Sequence, residues 1–187
     1  MSAFKPLQYF IKGIIWVIRG TPLMLQILLV SFLPMALGVK TKDIAAFFDI
    51  RVSGVLFWFV AVAFVVNYAC YFSEIYRAGI QSISLGQYEA GKVLGLTKRE
   101  IFVKIILVQA LKRIFPPMGN EIITLVKDTA LAQILGVVDL LNAANHAVNE
   151  FVVLSPFLYA AIFYLIFNGL LTLLFSYVEK KFEWFKV

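Results

Sequence analysis

The sequence predicts an all-α, polytopic membrane helix bundle with about four spanning helices and one long polar loop, and three observations carry that prediction. The first is composition: of 187 residues, 61% are apolar and only 15% are charged, with eighteen Phe and eight Tyr. A soluble domain carries about a quarter charged residues, and even a well-packed one of this size leaves roughly a third of its chain surface in water. So apolar a surface needs the bilayer as its solvent. The second is the presence of four stretches that reach or approach the ~20 apolar residues of a spanning helix. The third is the placing of Lys and Arg, which follows the connections between those stretches.

The first stretch, residues 7–37, is interrupted by Arg19-Gly20-Thr21-Pro22 and again by Pro34. Pro22 suits the first turn of a helix capped by Thr21, after which residues 23–37 span with help from upstream. The second, residues 55–72, has Asn67 as its only strongly polar member. The third runs from Pro116-Pro117 to about 138 and holds Asn120, Glu121, Lys127 and Asp128. The fourth, residues 157–178, ends in Glu179-Lys180-Lys181.

Charge then sets the expected orientation. The N-terminal stretch holds Lys5, Lys12 and Arg19; residues 74–115 hold Arg77, Lys92, Lys98, Arg99, Lys104, Lys112 and Arg113; the tail holds Lys180, Lys181 and Lys186. Four spans put all three regions on one side, and the positive-inside rule makes that side cytoplasmic, with the C-terminus there. The 139–156 connection has Asp139 and Glu150 but no Lys or Arg, as an external loop should, while 38–51 is mixed. Trp16, Trp58 and Trp184 read as interfacial anchors.

Several functions are excluded or disfavoured. The single Cys70 forbids an intramolecular disulfide and a Cys-rich metal cluster, and reads as an inert buried thiol. His146 has no second His beside it and reads as a solvated loop residue, so no metal site is expected. The net charge of +6 follows the loops, which points to membrane orientation and not to nucleic acid. There is no Gly-rich phosphate loop, no nucleophile–base pair, and no short apolar segment after Met1–Lys5 of the kind that makes a cleavable signal peptide.

The loop over residues 74–113 carries strong local signals. Ser84 with Gln87 fits a capping box, so a helix is expected from Leu85 to about Leu94, and Gly95 supplies its left-handed stop. Thr97 with Glu100 forms a second box, and Ile101, Phe102, Ile105, Ile106 and Val108 give the next helix an apolar face; it should end before Pro116. The small residues in Glu89-Ala90-Gly91, beside Gly95, favour close approach by a partner over an amphipathic hairpin resting on lipid.

At these residues the chain resembles a known family. Residues 86–96, Gly-Gln-Tyr-Glu-Ala-Gly-Lys-Val-Leu-Gly-Leu, are similar to the Glu-Ala-Ala...Gly motif of bacterial ABC importer permeases, and in particular of the polar amino acid permeases. Four further stretches agree in order: Arg19-Gly20-Thr21-Pro22-Leu23 with Gln26; Glu74-Ile75-Tyr76-Arg77 with Gly79-Ile80-Gln81; Pro116-Pro117-Met118-Gly119-Asn120-Glu121; and Lys127-Asp128-Thr129. The resemblance implies a subunit of the bacterial inner membrane that passes polar amino acids by alternating access. It implies that Glu89, Ala90, Gly91, Gly95 and Leu96 form a coupling helix seated in a cytoplasmic ABC ATPase subunit. ATP and Mg would bind that partner, with no cofactor on this chain. An extracytoplasmic solute-binding protein, a second permease (a copy or a sister subunit) and membrane lipid complete the implied partners; nucleic acid is not among them. Other readings are an importer of another small polar solute, or a truncated non-transporting scaffold that binds an ATPase.

Three departures from the family pattern stand out. Gly91 replaces the motif's second Ala, Val108 replaces a Pro and implies a straighter second loop helix, and the usual first of about five core spans is expected to be absent.

Charges at bilayer depth imply function. On a helix Glu121 and Asp128 share a face, which Thr124 continues and Leu125 interrupts, while Asn120, Thr124 and Lys127 make an adjoining stripe. These could face the ammonium and carboxylate of an amino acid, or could pair with one another, with Arg19 or with Glu74 as structural or gating groups. Lys127 and Asp128 suit a gate. Asn67 suits a hydrogen bond between helices.

Overall fold

The computed structural model describes residues 5–182; Trp184 and Lys186 lie outside the described residues. The chain forms α1 (Lys5–Gly20), α2 (Leu23–Ala36), α3 (Thr41–Phe47), α4 (Val52–Gln81), α5 (Leu85–Val93) and the single turn α6 (Lys98–Glu100). A π-helical stretch, Ile101–Ile106, then leads into α7 (Leu107–Asp128), a 3-10 stretch Thr129–Leu135, α8 (Leu140–Phe151) and α9 (Ser155–Phe182). No strand occurs among the described residues.

α4 and α9 are long and apolar enough to cross a membrane; α1 with α2 would make a third such element, bent by 110°. At 1.5 Å per residue the 30-residue α4 is about 45 Å long, well beyond the ~30 Å of hydrocarbon. Glu74 and Arg77, expected in a loop, are therefore in its last turns. α7 is more polar than a typical span, with Lys112, Arg113, Glu121, Lys127 and Asp128 along its length. It also starts earlier than expected, at Leu107, and takes Pro116 and Pro117 into its interior. Those prolines remove helix bonds to the carbonyls of Lys112 and Arg113. Buried Ala110, Ile114 and Gly119 lie on both sides of them, so packing carries the helix through.

The chain divides into two compact units. The first is Met1–Tyr71 with Lys127–Phe163. Its core is Ile27, Val60, Ala63 and Ala132, with Leu23, Val30 and Leu135 packed against it. The α1–α2 corner is closed by side chains. Pro22 is the cap of α2 (φ −61°, ψ 136°) and not its first turn. Thr21 turns back instead, its hydroxyl donating to the Val17 carbonyl at 2.9 Å. The Gln26 amide donates to the carbonyls of Ile18 (2.7 Å) and Thr21 (3.0 Å). A bend of this size frees backbone groups that lipid cannot satisfy, and Gln26 supplies what lipid lacks. In the same unit the expected loops hold short helices: α3, and α8, which starts where Asp139 Oδ1 accepts the Asn142 N–H at 2.8 Å. His146 is exposed on α8 and not on a loop.

The second unit is Phe72–Val126 with Tyr164–Val187. Its core is Ile83, Ile101, Ile106, Ala110 and Ile114, joined by Tyr88 and Leu96. α5 begins at Leu85 with Ser84 as its cap, but no side-chain capping bond forms. The expected partner, Gln87, instead accepts from the Gln109 amide at 3.2 Å. α5 ends as expected at Gly95 (φ +72°). The Gly95 N–H reaches the Lys92 carbonyl (2.9 Å) and the Leu96 N–H the Gly91 carbonyl (3.0 Å), the two bonds of a Schellman stop. The Thr97–Glu100 box forms fully, with Thr97 N–H on Glu100 Oε2 at 3.1 Å and Glu100 N–H on Thr97 Oγ1 at 3.3 Å.

After that box the chain continues as the π-helical stretch Ile101–Ile106. The wider π turn lets Ile101 and Ile106, five apart, both face inward, and both are fully buried. Gly91 accounts for its own departure from the family pattern: a Cβ there would lie 2.7 Å from Ile101 Cγ1 and 3.0 Å from its Cδ1. Gly79 shows the same closeness, since a Cβ on it would overlap Ile114 Cγ1.

Two outcomes are expected from this packing. Gly91→Val should destabilise the loop by about 1–3 kcal/mol through overpacking, and should cost less than additively when combined with Ile101→Ala; a double-mutant cycle on protease cleavage within residues 82–100 measures both. Glu100 is held down to about 2, from an ordinary 4.5, chiefly by its hydrogen bond to Lys104 and then by those from Thr97. A depressed carboxylate stabilises above the unfolded value and loses that contribution as pH falls from about 4.5 towards 2. The gap in loop protection between wild type and Glu100→Gln should therefore close over that window.

Candidate functional site

α5 stands on a fixed base and presents two helical rows outward. Leu85, Glu89 and Val93 form one row, four residues apart, and Gly86, Ala90 and Leu94 the next. All six are exposed, with Val93 at 88%, Leu85 at 76% and Leu94 at 74%. The opposite side holds Tyr88 and Gly91 against Ile101 and the core. Of the residues singled out in the sequence, Glu89 and Ala90 therefore lie on the open face. Gly91 is buried, and its small size serves the Ile101 contact. Gly95 forms the stop, and Leu96 is half-buried in the core. The sequence reading missed Leu85, Val93 and Leu94. Their signal was their apolar character at the two ends of an otherwise polar helix, Leu85 and Val93 eight residues apart and so on one face.

The base of this loop is tied by charge. The Arg113 guanidinium donates to the Ser82 carbonyl just past α4, where a helix end carries partial negative charge. Arg77 pairs with Glu74 on its own helix and donates to Gln81 Oε1 at 2.8 Å. Lys104 pairs with Glu100 at 2.9 Å. Lys92, Lys98 and Arg99 are exposed around α5.

The intramembrane candidates fall in different places. In the first unit Asn67, 5% exposed, donates through Nδ2 to Gln26 Oε1 at 3.0 Å. Sequence reasoning did not single out Tyr68, whose hydroxyl donates to Asp128 Oδ2 at 2.8 Å. Its signal was a phenol next to the only strongly polar residue of an apolar stretch. Arg19 lies over the Tyr71 ring, 5.0 Å from its centroid. Lys127 is exposed.

In the second unit the Thr124 hydroxyl is turned back on the Asn120 carbonyl at 3.0 Å. Asn120 lines a small cavity of about 80 Å³ with Gly119, Thr172 and Glu179. Glu121 is half-buried. Asn67 and Asp128 are thus engaged by Gln26 and Tyr68, while Glu74 is bonded to Arg77. No group of three or more His, Cys, Asp or Glu side chains suited to a metal occurs among the described residues.

Comparison with known proteins shows the family of this chain. The family described as the inner membrane component of binding-protein-dependent transport systems matches residues 1–184. The arginine transport system permease protein ArtQ of Bacillus subtilis is 35% identical over 183 residues, which is 97% of this chain and 78% of that protein. The putative glutamine transport system permease protein GlnP of Rickettsia conorii is 34% identical over 95% of this chain and 76% of its own length. The L-cystine transport system permease protein TcyB of Bacillus subtilis is 32% identical over 98% and 74%. Among solved structures, the crystal structure of an amino acid ABC transporter with histidines superposes with a TM-score of 0.83 at 32% identity, covering 97% of this chain and 79% of that one. These relatives are transport permeases and not enzymes. The chain belongs to the family of inner membrane components of binding-protein-dependent transport systems.

Proposed function

We propose that this chain is the membrane-spanning subunit of an ATP-driven importer of polar amino acids, and that the exposed rows of α5 are where it takes the push of a separate ATPase. The observation that carries the docking part is the pairing of a rigid base with an open apolar face. Tyr88 and Gly91 seat α5 on the core and Gly95 stops it, while Leu85, Val93 and Leu94 remain uncovered around Glu89. A helix with both properties transmits displacement without bending. Support for the cargo comes from relatives whose names specify arginine, glutamine and L-cystine transport.

On this reading ATP and Mg bind the ATPase, α5 and its flanking basic residues are cytoplasmic, and so is the C-terminus. A solute-binding protein delivers substrate from outside, and two permease subunits, alike or sister, frame an alternating path. Tyr68–Asp128 and Asn67–Gln26 act as the polar contacts whose rearrangement opens or closes the path, with Asn120, Glu121, Thr124 and Lys127 as further candidates for contact with the zwitterion. The rival is a loop that rests on lipid through the same apolar residues.

Two experiments separate these. Co-purification with the cognate ATPase should be lost or strongly weakened in Glu89→Arg, with the permease still folded; full retention of the ATPase would mean that α5 does not dock it. In reconstituted vesicles with ATPase and binding protein, wild type should accumulate a labelled polar amino acid when ATP is present. Tyr68→Phe removes only the hydroxyl on Asp128 and should lower that uptake severalfold while ATPase co-purification is unchanged. Absence of ATP-dependent uptake of any amino acid by wild type would refute the transport reading.

A further inference from the structure

α1 is bent away from α2 by 110°, and its sequence is amphipathic around the helix. Lys5 and Lys12 lie seven apart on one face. Leu7, Phe10, Ile14 and Val17 recur at spacings of three and four on the opposite face, and all four are at least 42% exposed. Tyr9 and Trp16, at 73% and 78% exposed, flank the lysine face. No residue of α1 is buried.

A crossing helix does not have this pattern. A crossing would carry Lys12 to mid-depth, where lysine is strongly disfavoured. α2, by contrast, is apolar on all sides apart from Gln26 and Ser31. If α2 crosses along the membrane normal, the bend places α1 within about 20° of the membrane plane, since 110° is 20° from a right angle. The corner is also held from the protein side, by Gln26 and by Arg19 over Tyr71.

We infer that α1 lies in the membrane–water interface as an anchor for anionic lipid, its apolar face sunk among the acyl chains and Lys5 and Lys12 against anionic headgroups. The charge pattern selects this occupant: a basic polar face, an apolar face of Leu7, Phe10, Ile14 and Val17, and aromatic residues at the boundary are the features of a surface-lying helix. Each lysine near an anionic surface favours it over a neutral one by on the order of fivefold. The planar placement stands independently of the transport reading; only the choice of the cytoplasmic leaflet rests on it. The consequence is a corner with one arm in lipid and the other hydrogen-bonded to α4 through Asn67.

The test uses the full chain with Cys70→Ser, reconstituted in nanodiscs, with nitroxide labels placed singly at positions 7, 10, 12, 14 and 17. Collision with oxygen against a nickel chelate gives the depth of each. Labels at 7, 10, 14 and 17 should share one shallow depth, about 5–10 Å below the headgroups, while the label at 12 stays in water. A steady change of roughly 15 Å between 7 and 17 would mean that α1 crosses and overturns the proposal. So would labels at 10 and 14 shielded from both reagents, which would mean that protein, from another segment or a second copy, covers the face. The lipid class is tested by adding K5E and K12E. In discs containing phosphatidylglycerol the labels at 10 and 14 should move outward; equal depths for wild type and variant there would refute the anionic-lipid part. Uptake plays no part in these readouts, so they are independent of whether the transport reading holds.

Discussion

The contact between Gly91 and Ile101 governs which face of α5 is packed and which is left open. Ile101 is fully buried, and it reaches α5 at a point where a methyl group on Gly91 would have no room. That closeness fixes which side of a nine-residue helix is inside, and so which side is left open. The Schellman stop at Gly95, the Thr97–Glu100 box and the π turn after it all serve the same contact, because they bring Ile101 and Ile106 inward on successive turns. An isolated helix as short as α5 would be marginal in water; here tertiary packing holds it.

A different constraint shapes the first unit. Lipid offers no hydrogen bonds, so a chain that turns sharply at membrane depth must satisfy its own backbone. Gln26 does so with one amide group, donating to the end of α1 and accepting from Asn67 on α4. The same amide thereby joins the corner to α4. Both units therefore use a few specific contacts where the apolar surface alone specifies little.

Much of this was legible in the sequence. Local signals that act within four or five residues read well: Gly95 stops α5, Thr97 and Glu100 cap the next helical turn, and α5 begins at Leu85. Signals that depend on tertiary partners read less well. Gln87 was expected to complete a capping box, but Gln109, more than twenty residues on, engages it. Pro116 and Pro117 were expected to start a helix, yet packing on Ala110, Ile114 and Gly119 carries α7 through them. Gly91 was read as room for a partner, whereas the neighbour that needs the room is Ile101, ten residues downstream. The candidate site was legible as a location; the division of its residues between inside and outside required the fold.

The claim that the outer rows of α5 form the docking surface is tested most directly by solvent protection. With Cys70→Ser as background, a single cysteine at Val93 or Leu85 would be reacted with a water-soluble maleimide, in the permease alone and in the assembled complex with its ATPase. The account predicts fast reaction in the permease alone and strong protection in the complex, with a cysteine at exposed Lys42 on α3 unaffected as a control. Equal rates at Val93 and Leu85 in both states would contradict it.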